Sequence, residues 1–266
     1  MTRVHYTEKY LLNPRHPVTV TLIGTGGTGS QVLTCLARLD ATLVALGHPG
    51  LHVTAYDPDT VEEPNIGRQK FSPSDLGLNK AECLITKVNA FFGLNWQAVA
   101  ARFPRRLKDA GPDNLSNIYI TCTDNITSRY ELAGFLRAVA PKSGKHTGYD
   151  YKTPLYWCDF GNSKTTGQVV VGTIPPKIEQ PKSERFEAVD SLPVITDLPG
   201  YDNMREEDAG PSCSTAEALD KQDLFINSAL AELGATLLWR MIRHGMTEYR
   251  GVYVNLETLR SNPILV

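Results

Sequence analysis

The sequence predicts an α/β domain with a parallel, Rossmann-type nucleotide-binding half over residues 18–140 and an antiparallel extension over residues 141–266. Three observations lead to this fold class. A glycine-rich stretch joins a strand pattern to a helix pattern within residues 18–46. Strand and helix patterns then alternate to the end of that half, which is typical of a parallel sheet. Two later strand patterns, at 155–162 and 167–174, are separated by a short polar link, which indicates a hairpin.

The composition excludes several classes of protein. With 266 residues, of which 41% are hydrophobic and 21% charged, the chain can bury a sizeable core, and we expect a single domain. The net charge of −2 argues against a broad nucleic-acid surface, and the apolar runs are too short to cross a bilayer. The first residues lack the apolar region of a signal peptide. We therefore expect a cytoplasmic protein that binds neither membranes nor nucleic acid directly.

The cysteines are odd in number and widely separated, which is typical of free thiols in a reducing compartment. They are Cys35, Cys83, Cys122, Cys158 and Cys213. The sequence contains no C-x-x-C pair and no His/Cys cluster, so we expect no zinc site.

The glycine-rich stretch follows an alternating apolar strand that starts at Val18. Gly24, Gly26 and Gly29 fit the pattern G-x-G-x-x-G, and Gly27 is an additional glycine. A helix N-terminus directly after such a turn suits a phosphate, because its backbone N–H groups lack partners. A Walker A loop is excluded, since no G-K-[ST] follows. On these residues alone, a NAD or FAD site and a turn without any ligand both remain open.

The next strand and the loop after it carry the first candidate polar residues. Residues 51–57 read as a second parallel strand that ends on Asp57, which fits either a ribose-binding acid or a turn former before a proline. The long loop that follows contains Asn65, Arg68 and Gln69, and Lys80 begins the next helix. Hydride transfer has no evident use for these cations, whereas a nucleoside triphosphate does.

Two further strands complete the predicted parallel half, at residues 96–103 and 117–123. The second ends in Thr-Asp-Asn, so Asp124 and Asn125 are expected beside the glycine turn. The Asp124 carboxylate fits a Mg²⁺ on the phosphates, and it also fits an N-cap of the helix that begins near Ile126.

The extension is expected to contain the hairpin, a long irregular loop over 175–222, an apolar helix over 223–243 and a final strand after it. Residues 1–17 are expected to form a short arm or helix. Cys213 ends the long loop. A thiolate near a helix N-terminus would be nucleophilic, whereas an inert buried thiol is the simpler interpretation.

Taken in order, the motifs resemble the ThiF/MoeB/E1-like family, whose members adenylate the C-terminal carboxylate of ubiquitin-like proteins. The motifs are G-T-G-G-T-G-S, D-P-D-T-V, N-I-G-R-Q, L-N-K-A and C-T-D-N-I-T-S-R. The later stretches L-Y-W-C-D-F-G-N and L-L-W-R-M-I-R-H-G also resemble the ThiF-related subgroup of the PRTRC cassette of bacterial plasmids. The resemblance implies a single E1-like domain over residues 1–266, ATP and Mg²⁺ as cofactors, a small ubiquitin-like or sulfur-carrier-like protein partner, and a homodimer.

The resemblance also implies roles for particular positions. The glycine turn would bind the nucleotide, Asp57 the ribose, and Asn65, Arg68 and Lys80 the phosphates, while Asp124 would hold Mg²⁺. Gln69 and Asn125 belong to the same expected nucleotide site, and Cys213 is the candidate thioester cysteine. Two other functions share part of this pattern: a NAD-dependent oxidoreductase, and a non-catalytic nucleotide-binding scaffold in a plasmid-encoded assembly.

Overall fold

A computed structural model describes residues 1–104, 109–111, 114–141, 151–203 and 222–266. The strands are β1 (Thr2–Tyr6), β2 (Val18–Ile23), β3 (Leu51–Tyr56), β4 (Gln97–Val99), β5 (Ile118–Thr121), β6 (Tyr156–Asn162), β7 (Thr166–Thr173), β8 (Phe186–Ala188), β9 (Met246–Thr247), β10 (Tyr249–Asn255) and β11 (Arg260–Leu265). The helices are α1 (Lys9–Leu12), α2 (Gly27–Ala45), α3 (Lys80–Phe92), α4 (Ile126–Val139) and α5 (Ile226–His244).

An eight-stranded mixed sheet organises the chain, in the order β11-β10-β7-β6-β5-β2-β3-β4. The five strands from β4 to β6 run parallel, and β7, β10 and β11 run antiparallel to their neighbours. The parallel half and the antiparallel extension are therefore confirmed. The central strand β2 consists of apolar residues and threonines, and nearly all of its side chains are buried. Both faces of this strand are covered, as is usual in parallel sheets.

Two hydrophobic clusters cover the two faces of this sheet. One contains the apolar sides of α2, α3 and α5, and the other contains α4 with Tyr119 and Trp157 of the sheet and Ile195 and Tyr201 of the chain after β7. The apolar helix predicted over 223–243 corresponds to α5, which packs chiefly on α2 and the extension strands. Gly93 and Gly245, with φ of 71° and 70°, end α3 and α5 as left-handed caps.

The amino-terminal segment differs from the prediction of an arm or short helix. Besides the one-turn helix α1, it contributes β1, which pairs with β8 and β9 in a separate three-stranded sheet. The partner β8 lies in the loop 175–222, which was expected to be wholly irregular. Both strands are short and their partners are distant in sequence, so neither has a local signal. Residues 204–221 of that loop lie outside the described residues.

The carboxyl-terminal segment also differs, because one strand was expected and two are present. β10 and β11 pair as an antiparallel hairpin, with Leu259 at a φ of 53° in the turn. That turn contains neither glycine nor proline, so the sequence carries no break there. The strand predicted over 96–103 is shorter than expected, at Gln97–Val99. None of the helices in the described part of the chain has the length and hydrophobicity needed to cross a membrane.

Candidate functional site

The candidate site lies where the strand order of the parallel half reverses. β2 pairs with β3 on one side and with β5 on the other, so the chain leaves their carboxyl ends in opposite directions. In open α/β sheets, ligands bind in the crevice at this position. The glycine turn follows β2, and Thr123 and Asp124 follow β5. A Cβ placed on Gly24 would lie 3.5 Å from Cγ2 of Thr123, so the two turns are in contact.

Gly24, Gly26 and Gly29 occupy positions of the turn where the lack of a side chain has a different structural consequence. Gly24 has a φ of 87°, a left-handed conformation that side chains disfavour. A Cβ on Gly29 would lie 2.0 Å from the carbonyl oxygen of Gly24, so only glycine lets α2 begin so close to β2. Gly26 caps α2 without a side-chain bond, and a Cβ there would approach only Oε1 of Gln69, at 3.9 Å. The open side of the turn is therefore at Gly26, where a phosphate has room.

Asp57 closes the turn from the neighbouring strand end. It is 5% exposed, and its Oδ2 accepts hydrogen bonds from the backbone N–H of Thr25 at 2.6 Å and from the Thr25 hydroxyl at 2.9 Å. Its Oδ1 accepts from the backbone N–H of Asp59 at 3.0 Å. The turn-forming interpretation of Asp57 is thus confirmed, and its role toward a ribose stays a prediction.

The loop after β3 brings its polar residues to different places. Asn65 is buried and its Oδ1 accepts from the N–H of Glu62 at 2.9 Å, which closes a one-turn 3-10 helix. Gln69 is also buried, and in the described part of the chain its Oε1, beside the glycine turn, has no hydrogen-bond partner. The Lys80 ammonium lies at the start of α3, 3.4 Å from Oδ2 of Asp59.

Arg68 is a partly buried cation of the loop, and its side-chain partner is a neutral amide. Its Nη1 donates to Oε1 of Gln222, and its buried Nε has no hydrogen-bond partner among the described residues. Burial lowers the pKa of Arg68 below its usual value, because desolvation disfavours the charged form. Among the described residues, no carboxylate forms an ion pair with this guanidinium. Arg68 therefore has donor capacity left for an anion.

Asp124 is exposed, and the structure separates its two predicted roles. The N-cap of α4 is Asn125, whose Oδ1 accepts from the N–H of Ser128 at 2.7 Å, so the interpretation of Asp124 as the cap is wrong. The Asp124 carboxylate faces solvent beside the glycine turn. In the described ranges, no three His, Cys, Asp or Glu side chains gather as a metal-binding group.

Two residues of the extension reach the site although sequence reasoning missed them. Asn227 of α5 is 1% exposed, and its Oδ1 accepts from the Thr28 hydroxyl at 2.8 Å. Its Nδ2 donates to Gln222, the residue that also accepts from Arg68. Asn227 lies 199 positions from Thr28, and Gln222 lies 154 positions from Arg68, so these two contacts have no local sign in the sequence. A polar residue in the first turn of an apolar helix was the one available signal.

The cysteines of the described ranges are unreactive thiols. Burial raises the pKa of Cys35 to about 11, and it also raises the pKa of Cys83, Cys122 and Cys158 above the usual value of a thiol. The candidate nucleophile Cys213 lies outside the described residues.

The ThiF family model matches residues 15–262, nearly the whole chain. No curated protein sequence matches it. Several solved structures share its fold. Escherichia coli MccB with ATP aligns at a TM-score of 0.60 and 14% identity, covering 96% of this chain and 64% of MccB. MccB with AMPCPP and MccA gives 0.58 at 15% identity, with 93% and 63% covered. PaaA gives 0.57 at 14% identity, with 94% and 64% covered.

These similarities identify the architecture. At identities near 15% they establish a common fold, which is the E1-like fold that the sequence motifs predicted. The chain spans a little under two thirds of the length of these solved proteins.

Proposed function

The chain belongs to the ThiF family, and on that premise we propose that it activates a substrate carboxylate by ATP-dependent adenylation. A carboxylate oxygen attacks the α-phosphorus of ATP, and the bond from that phosphorus to the oxygen bridging the β-phosphate breaks. Pyrophosphate leaves with the electron pair, and an acyl adenylate forms. No general base is needed, because carboxylates are ionised at neutral pH.

The observation that carries this proposal is the unused hydrogen-bonding capacity of the Arg68 and Gln69 side chains beside the glycine turn. Arg68 is paired with a neutral amide, its Nε has no partner, and Oε1 of Gln69 is buried without one. Leaving such groups unsatisfied is unfavourable by about 1–3 kcal/mol each. A ligand with both anionic oxygens and donor groups would satisfy them, and a triphosphate nucleotide has both.

The remaining roles follow from the chemistry of each group. The first turn of α2 would take a phosphate at the open side of Gly26, and Lys80 would add a second positive charge. Asp57 would contact the ribose and Asn65 the phosphates, and Asn125 would belong to the same nucleotide site. Asp124 is the exposed carboxylate suited to Mg²⁺, which would neutralise charge on the phosphates. Catalysis in this scheme is positioning and charge stabilisation.

For the partner, we propose the C-terminal carboxylate of a small ubiquitin-like or sulfur-carrier-like protein. The family membership supports this class, and the similar structure of MccB was solved together with MccA. We also propose a cytoplasmic homodimer of the PRTRC-associated subgroup, with Cys213 as the residue to test for a thioester. These finer assignments rest on the sequence motifs.

The test of the proposal is nucleotide binding and exchange in Asp124→Asn. Calorimetric titration should show that wild type binds Mg-ATP and that Asp124→Asn binds it about tenfold more weakly, since one metal-ligand charge is lost. Exchange of labelled pyrophosphate into ATP, in the presence of purified ubiquitin-like proteins, should be lost in the variant. Because Asp124 is exposed, circular dichroism and melting should stay unchanged.

The matched control is Glu184→Gln, which removes one exposed carboxylate of the segment before β8. It should bind Mg-ATP like wild type. Full exchange in Asp124→Asn would contradict the assignment of that residue. Binding of NAD⁺ in place of ATP by wild type would overturn adenylation and indicate an oxidoreductase. Mg-ATP binding without exchange for any acceptor would indicate a non-catalytic scaffold.

A further inference from the structure

A chain of polar side chains connects the phosphate-side arginine to the extension. Arg68 donates from Nη1 to Oε1 of Gln222, and the same oxygen accepts from Nδ2 of Asn227 at 2.9 Å. Oδ1 of Asn227 accepts from Thr28 at 2.8 Å and from Nδ2 of Asn162 at 3.0 Å. Asn227 therefore uses both its oxygen and its nitrogen, which fixes the orientation of its amide.

The network also packs against the glycine turn itself. A Cβ on Gly27 would lie 2.8 Å from Nδ2 and 2.9 Å from Oδ1 of Asn227, so the amide lies directly on that glycine. Asn227 is 1% exposed and belongs to the first turn of α5. A buried amide whose hydrogen bonds are satisfied is held in one orientation. Gln222, held by it, presents its oxygen to Arg68 at a fixed place beside the turn.

The Gln222 side chain is an uncharged amide, and this determines how strongly it can hold the Arg68 guanidinium. A carboxylate at this position would form a charge-assisted, bidentate pair with the guanidinium and would compete with a phosphate for it. An amide oxygen orients the guanidinium through a weaker bond and, among the described residues, leaves its charge without a carboxylate partner. Arg68 can then exchange the amide for a phosphate oxygen with a gain in hydrogen-bond strength.

We propose that Gln222 and Asn227 are positioning residues of the nucleotide site, which hold Arg68 ready for the triphosphate of ATP. This inference rests on the proposed function and extends it, because it makes the extension a part of the nucleotide-binding site. Gln222 sets the direction of the guanidinium, and Asn227 fixes Gln222 relative to the first turn of α2.

The experiment compares Gln222→Glu and Gln222→Leu. Glutamate keeps the shape and the acceptor, so a purely structural role would be preserved by glutamate and lost with leucine. A positioning role predicts instead that the glutamate variant binds Mg-ATP more weakly than the leucine variant. Gln222→Glu should weaken Mg-ATP binding by about tenfold, because Arg68 is then neutralised, and Gln222→Leu should weaken it less. AMP, which lacks the β- and γ-phosphates, should bind both variants nearly like wild type.

A double-mutant cycle with Arg68→Ala separates the two residues' contributions. In the Arg68→Ala background, Gln222→Leu should cause no further loss of Mg-ATP affinity, since the effect of Gln222 acts through the guanidinium. The control is Gln180→Glu, at a glutamine that bonds the backbone of Tyr6 in the small sheet, and it should leave ATP binding unchanged.

The failures of the two proposals are distinguishable. Wild type that binds no Mg-ATP would overturn the adenylation function and this inference with it. Wild type that binds Mg-ATP, together with Gln222→Glu that binds it equally well, would overturn the positioning role alone. A leucine variant that binds more weakly than the glutamate variant would also overturn it and indicate a structural role.

Discussion

The buried ion pair between Arg129 and Asp159 gives the sharpest test of how this fold holds its site. Arg129 lies one turn into α4, and its Nε donates to Oδ1 of Asp159 on β6 at 2.7 Å. Its Nη2 donates to the carbonyl of Phe160 at 2.9 Å. The side chains of the pair are only 7% and 1% exposed. The guanidinium thereby ties the turn that carries Asp124 to the neighbouring strand.

The substitution Arg129→Met removes the positive charge and keeps the apolar length of the side chain. Asp159 is left buried without its counter-ion, and Oδ2 of this carboxylate already lacks a partner. Breaking a buried pair from one side destabilises proteins by about 3–5 kcal/mol. At about 2–4 °C per kcal/mol for chains of this size, the melting temperature should fall by roughly 6–20 °C.

The control is Arg137→Met on the same helix. Arg137 pairs with Asp197 at 2.6 Å, so the contact is equally short, but the two side chains are 64% and 48% exposed. Exposed pairs contribute about 0–1 kcal/mol, so this variant should be nearly neutral. Urea denaturation monitored by circular dichroism measures both variants. Equal losses in the two variants, or a loss below about 1 kcal/mol in Arg129→Met, would refute the argument from burial.

Three further predictions concern glycines and a histidine. Gly29→Ala should lose nucleotide binding and more than about 2 kcal/mol of stability, because its Cβ meets backbone at 2.0 Å; an unchanged melting temperature would contradict this. Gly234→Ala places a Cβ 2.2 Å from the ring of a buried phenylalanine and should lower the free energy of unfolding by about 1–3 kcal/mol. Its control, Gly134→Ala, has open space around the new Cβ and should stabilise its helix. Equal denaturation midpoints for the two variants would contradict this. Burial lowers the pKa of His5 below 6.5, so as the pH falls the unfolded chain binds this proton before the folded chain does. The free energy of unfolding should therefore decrease below about pH 6.5, by up to about 1.4 kcal/mol per pH unit. Urea titrations at several pH values should show that His5→Gln loses this pH dependence.

The parallel half was predictable because its signals are local. Strand, glycine turn and helix follow one another within residues 18–45, and each has a distinctive composition. Asn79 and Asn125 cap α3 and α4 through their own side chains, as helix starts in sequence commonly do. The right-handedness of β-α-β crossovers then decides on which face of the sheet each connecting helix lies. Fold class and the location of the site could therefore be obtained from neighbouring residues.

The parts that could not be predicted depend on distant pairings. β1 needs β8 and β9, which lie more than 180 residues away, and its five residues carry no periodicity long enough to identify. The Arg68–Gln222 and Thr28–Asn227 contacts are also remote, spanning 154 and 199 positions of the sequence. For such contacts the sequence supplies only residue type, and an asparagine within an apolar helix is compatible with many partners.

One physical feature links the unpredicted contacts to the proposed function. In the described part of the chain, three buried polar atoms without partners flank the glycine turn or the strand beside it: Nε of Arg68, Oε1 of Gln69 and the hydroxyl of Thr123. Folded proteins rarely leave such atoms unsatisfied, because each is unfavourable by about 1–3 kcal/mol. Residues that violate local rules concentrate at functional sites, where a ligand restores the missing partners. Within the described residues, the bonds among Arg68, Gln222 and Asn227 hold the guanidinium on a neutral amide, and this arrangement is what the proposed binding of a triphosphate would use.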